Sequence, residues 1–289
     1  MKVIRAKSAG FCWGVERAIQ IAREEAQGGK RRVYTDGPLI HNRQMMNALS
    51  KEDVREVGDY QSKEELDLEE TEEKESVVVV RAHGISPQRR DYLKGLGLPF
   101  RDGTCPDVGI IAGKVKSHAE KGYRVVIFGD PDHPEVIGLM GYAQGRGHVV
   151  HSSDDLENLP DLGDKVAMVS QSTMFTHEFK ALTSQLAEKY PSLIVFDTIC
   201  GATKERQSDL VELVKEGADA IVVIGGKHSA NTRKLAKLAS SYDRPAFHVE
   251  TAEDLDAELL RGFSTVGVTA GASTPEFIIR SVCEKLENI

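Results

Sequence analysis

Three cysteines stand at nearly equal intervals, 93 residues from Cys12 to Cys105 and 95 from Cys105 to Cys200. The stretches downstream of the three are alike. A helix-like run leads to a short β-branched strand (RRVYT, YRVVIFG, ADAIVVIG). A polar turn then ends at His41, His133 or His228, 28 or 29 residues beyond the cysteine. A second short strand leads into SKEEL (62–66), SSDDL (152–156) and TAEDL (251–255), each with the hydroxyl-then-acid pattern of a capped helix start. A third strand, in VVVVRAHGISP, KVAMVSQSTM and TVGVTAGASTP, ends in small polar residues. A chain that runs through these landmarks three times consists of three similar units.

Short apolar strands alternating with helices specify α/β layers with parallel sheets, and near-continuous apolar strands are those covered on both faces. The sequence therefore predicts three pseudo-repeated α/β domains, 7–100, 101–195 and 196–289. A strand precedes each cysteine: KVIRA, LPFRD and LIVFD. The second and third finish the preceding repeat, so the first, within 1–6, is expected to join the third repeat and close the ring. In parallel sheets, ligands bind beyond the carboxyl ends of the strands. The cysteines, the histidines and the HGIS, QST and GAST tips all fall there. Three such units with converging strand tips would bring three thiols to one point.

The formal charge is −8, and residues 51–75 account for it with 12 acids and 4 bases. This is an acidic surface strip, and the balanced remainder gives no support for a nucleic-acid partner. No apolar run reaches the ~18 residues of a membrane span. The N-terminus lacks a signal-peptide core, so the chain reads as cytoplasmic with no membrane partner. No CxxC pair, P-loop or GxGxxG motif is present. Three thiolates without a fourth suit a zinc ion with an open position or an iron–sulfur cluster with one iron lacking a protein ligand, and periodicity does not choose between them. Cys283 lies outside the repeats in an amphipathic helix and reads as a packing residue.

AGFCWGVERAI, TDGPLIHN, RAHGISP, DGTCPDV, DHPEVIG, QST, TICGATKERQ, GKHSAN and VTAGASTPE occur in this order from Ala9 to Glu276. Together they resemble the 4-hydroxy-3-methylbut-2-enyl diphosphate reductase family. The resemblance implies a trefoil of three α/β domains around one central [4Fe-4S] cluster, with Cys12, Cys105 and Cys200 as its ligands. It implies reductive dehydroxylation of an allylic diphosphate to isopentenyl and dimethylallyl diphosphate, the last step of the non-mevalonate isoprenoid pathway. Electrons would come from reduced ferredoxin or flavodoxin. By the same resemblance Glu135 is the proton donor. Ser172 helps position the substrate hydroxyl, with Gln171 and Thr173 completing its motif. His41, His83, His133, Ser229, Asn231 and Ser273 bind the diphosphate. A Glu beside a diphosphate and a thiolate-ligated cluster is expected to hold its proton more tightly than a solvated one.

The chain departs from the family pattern at three places. GIIA (109–112) replaces a more polar stretch after Cys105, Ala230 replaces a serine between Ser229 and Asn231, and Arg43 replaces a proline. These departures leave open a divergent paralogue with another substrate. A zinc-dependent hydrolase of a phosphorylated compound, with Glu135 as general base, is the reading from a different class.

Overall fold

All strand pairings among the described residues are parallel, and they form three four-stranded sheets. The computed structural model describes residues 1–27, 31–58, 65–66, 68 and 75–289. The capped start expected at 62–66 therefore lies largely outside the described residues. The chain forms two compact units, Met1–Glu16 with His41–Asn47 and Cys200–Ile289, and Arg17–Ile40 with Ala48–Ile199.

The first unit holds β1 (Lys2–Arg5), β10 (Ala220–Ile224), β11 (Ala246–Val249) and β12 (Thr265–Ala270) in the order β1-β12-β10-β11. All five residues of β10 are buried, as expected of a strand covered on both faces. Its helices are α8 (Gly201–Lys215), α9 (Ala230–Ser240), the short α10 (Ala257–Leu260) and α11 (Glu276–Glu287). The apolar stripe of α11, Ile278, Ile279, Val282 and Leu286, is buried in the core of this unit, and Cys283 packs against the same core. TAEDL forms a capping box between Thr251 and Asp254, but the turn it starts is 3-10, Ala252–Asp254. Leu255 swings to extended backbone, and Asp256 then caps α10.

The second unit holds two sheets. One is β3-β2-β4-β5, from β2 (Arg31–Asp36), β3 (Val54–Val57), β4 (Glu75–Val80) and β5 (Phe100–Asp102). The other is β7-β6-β8-β9, from β6 (Arg124–Phe128), β7 (Gly147–Val150), β8 (Val166–Ser170) and β9 (Ile194–Val195). The three sheets share one plan. In each, the strand that precedes a cysteine (β5, β9 and β1) pairs at the edge beside β4, β8 and β12. Helices α3 (Pro87–Gly95), α4 (Pro106–Glu120), α5 (Pro134–Tyr142), α6 (Ser153–Glu157) and α7 (Thr176–Lys189) complete this unit, while α1 (Trp13–Ala26) and α2 (Arg43–Ser50) follow Cys12 and His41. α5 approaches the start of α3 closely. A Cβ at Gly141 would sit 2.7 Å from the Ser86 Cβ, so only glycine lets the two helices meet at this distance.

Candidate active site and metal centre

Each of Cys12, Cys105 and Cys200 stands directly before a helix, and its carbonyl accepts the first intrahelical bond, from Glu16, Gly109 and Lys204. All three are half-buried and none is in a disulfide. A helix N-terminus favours an anionic sulfur, which is the form that ligates a metal. The amide of Cys12 donates to Ala272 O (3.1 Å), just past β12, and that of Cys105 donates to Ala82 O (2.9 Å), just past β4. The parallel sheets thus place both sulfurs at strand tips. Half-exposed thiols at helix starts are of the ligand type that iron–sulfur clusters take.

In the second unit Glu135 is the second residue of α5 and only 1% exposed. Ser172, just past β8, binds both of its oxygens. The Ser172 amide donates to Oε1 (2.7 Å) and its hydroxyl to Oε2 (2.6 Å). His133 caps α5, accepting at Nδ1 from the Glu135 amide (3.2 Å), which puts the proton of the neutral ring on Nε2. The His83 ring meets His133 edge-on with centroids 5.6 Å apart. Gln171 is buried, accepts from the Asp130 amide and donates to Thr173 Oγ1 (2.9 Å each), which fixes the turn that carries Ser172. A cavity of about 240 Å³ opens beside Glu135 and His83, walled in part by Gly109, Ala112, Gly138 and Leu139. The 109–112 departure falls on that wall, where small side chains leave space.

In the first unit the polar groups gather at the start of α9. Ser229 caps the helix by accepting from the Thr232 amide. Gly225 sits at φ +147°, and a Cβ there would lie 2.7 Å from Thr274 Oγ1 and 2.8 Å from Thr232 Oγ1, so the loop before α9 hugs the helix only because it carries glycine. The Ser273 hydroxyl donates to His41 O (3.1 Å). Asn231 Nδ2 is a buried donor that no group among the described residues satisfies. A buried amide nitrogen without an acceptor calls for an anion or water, and it stands where helix-end N–H groups already favour an anion. Ala230 offers no hydroxyl here.

The LytB protein family profile matches residues 3–287. The chain belongs to the LytB family. A relative from Opitutus terrae, 61% identical over 99% of both chains, is named 4-hydroxy-3-methylbut-2-enyl diphosphate reductase. One from Caldanaerobacter subterraneus subsp. tengcongensis, 39% identical over all of this chain and 98% of its own, bears the same name. The solved reductase from Plasmodium falciparum superposes with a TM-score of 0.88 at 28% identity, covering 98% of this chain and 87% of that one. A second, described as the terminal enzyme of the non-mevalonate pathway, gives 0.69 at 36% identity with both chains fully covered. The family read from nine ordered motifs is the LytB family, and the three parallel sheets are its fold. No helix among the described residues is long and apolar enough to cross a membrane.

Sequence reasoning passes over Arg206. A mid-helix arginine in the charged stretch TKERQ reads as solvated surface, yet it is 2% exposed. Its place six residues after Cys200, within the motif TICGATKERQ, is the signal that could have drawn attention to it.

Proposed function

We propose that this LytB-family chain reduces (E)-4-hydroxy-3-methylbut-2-enyl diphosphate, adding two electrons and two protons and releasing water to give isopentenyl and dimethylallyl diphosphate. Cys12, Cys105 and Cys200 hold one [4Fe-4S] cluster, one from each of the repeats 7–100, 101–195 and 196–289. When bound, the cluster supplies electrons and an iron that acts as a Lewis acid on the substrate hydroxyl. Reduced ferredoxin or flavodoxin is the electron donor, and the reaction takes place in the cytoplasm.

The protein's own groups divide the remaining work. Glu135 delivers a proton to the departing hydroxyl, since hydroxide leaves poorly without one. Both its oxygens accept from Ser172, so the Ser172 hydroxyl turns towards the substrate as the carboxyl takes up its proton. His41, Ser229, Asn231 and Ser273 bind the diphosphate, as do His83 and His133 through ring N–H groups. The observation that supports this reading is the buried Glu135–Ser172 pair, a carboxyl group held by two hydrogen bonds and kept from bulk water at a strand tip.

The test is anaerobic purification and reconstitution, then incubation of the allylic diphosphate with a low-potential reductant. The two isopentenyl-type products are expected, with none formed when iron is removed. Release of inorganic phosphate in place of those products would contradict the assignment.

A further inference from the structure

Arg206, on α8, is a buried cation that forms no ion pair among the described residues. Its guanidinium donates to Gly10 O (2.6 Å), Ala202 O (2.8 Å) and Ala270 O (3.3 Å). Gly10 lies two residues before Cys12 and Ala202 two residues after Cys200. No carboxylate lies within ion-pair distance among the described residues, and Asp209 is already engaged by the amide and hydroxyl of Ser8. Burial pushes the guanidinium pKa down, while Cys12, Cys200, Glu205 and Asp209 act to raise it. Carbonyls satisfy the N–H groups, but no carboxylate makes direct contact with the guanidinium, and a buried charge without a contacting partner is costly. A second arginine shows what a backbone clamp alone looks like. Arg17 binds Asp102 O and Thr104 O before Cys105 (3.2–3.4 Å), but it remains half-buried.

We propose that Arg206 is the fixed counter-charge of the cluster, a positioning residue that clamps the Cys12 and Cys200 turns and stabilises the reduced cluster. This rests on the cluster assignment above. A cluster with three thiolate ligands is anionic, and its negative charge grows with each electron added. A fixed cation in a dry setting therefore favours reduction.

The test compares the full-length wild type with Arg206→Gln and Arg206→Lys. Each is reconstituted anaerobically, assayed for iron and sulfide, and titrated for reduction potential by electron paramagnetic resonance. Glutamine can donate to a carbonyl but carries no charge, whereas lysine keeps the charge. In Arg206→Gln the equilibrium for one-electron reduction should fall at least tenfold, a potential about 59 mV more negative. Arg206→Lys should recover most of that shift. A loaded Arg206→Gln protein with the wild-type potential overturns the proposal, because a purely structural clamp would change cluster content and leave the potential alone. If Arg206→Gln does not fold, lysine decides. A potential near wild type supports the counter-charge, and a tenfold fall overturns it. A wild type that takes up no iron or sulfide overturns the cluster assignment and this inference together.

Discussion

Ser172 and Ser229 both stand just beyond a strand tip, yet they spend their polar groups differently. Ser172 gives its amide and its hydroxyl to one carboxylate, and the result is a closed set buried around Glu135. Ser229 accepts from the Thr232 amide and keeps its own hydroxyl hydrogen to give, while Asn231 Nδ2 beside it has no acceptor among the described residues. In the proposed reaction the first region holds the group that changes protonation at a fixed place. The second, in the same proposal, supplies donors for the arriving anion. A saturated set fixes a carboxyl group in place away from water, and an unsaturated one contributes binding energy only when ligand is present.

The sharpest way to break this contrast is Glu135→Gln. It keeps the size of the side chain but removes the carboxyl proton, so turnover should fall roughly 100-fold or more with KM little changed. Near-normal turnover would mean that the proton comes from elsewhere. On the other side, Asn231→Ala and His41→Asn each remove a contact felt before and during reaction. KM should rise about tenfold while kcat falls less, as expected for the loss of one charge-assisted hydrogen bond. Steady-state kinetics separates the two classes, and an Asn231→Ala enzyme that lost kcat alone would erase the distinction.

A third, smaller change tests whether polar groups outside both regions matter only to stability. Ser152→Ala removes the cap of α6, where Ser152 and Asp155 form a capping box. It should cost about 1 kcal/mol in stability and leave kinetics untouched. Hydrogen bonds from His151 and Ser152 hold the Asp155 carboxyl below its ordinary pKa. Its contribution is therefore present above the unfolded-state value and is lost as pH falls through the lower, folded one. Melting curves at neutral and acid pH should show the gap between wild type and variant narrowing in acid.

The fold was legible because cysteine spacing, strand composition and hydroxyl–acid pairs agree three times over. The repeat arithmetic assigns residues 1–6 to the third repeat, and β1 pairs with β12. Where a single feature had to carry the reading, less was visible. TAEDL has the same capping chemistry as SSDDL but yields a 3-10 turn, because Asp256 competes for the next helix start. The partnership of Ser172 with Glu135 spans 37 residues and depends on how β8 lies beside β6, which no local pattern encodes. The burial of Arg206 depends on carbonyls from three separate segments, so its neighbours in sequence are misleading.

Everything proposed for catalysis depends on three thiols acting as one ligand set. The direct measurement is iron, sulfide and visible absorption in Cys12→Ser, Cys105→Ser, Cys200→Ser and Cys283→Ser proteins prepared without oxygen. Each of the first three should lose the cluster absorption. Cys283→Ser should keep it, since Cys283 packs against the core and burial raises its thiol pKa. A folded Cys283→Ser protein without its cluster, or a Cys105→Ser protein that keeps a full complement of iron and sulfide, would contradict the three-thiol ligand set.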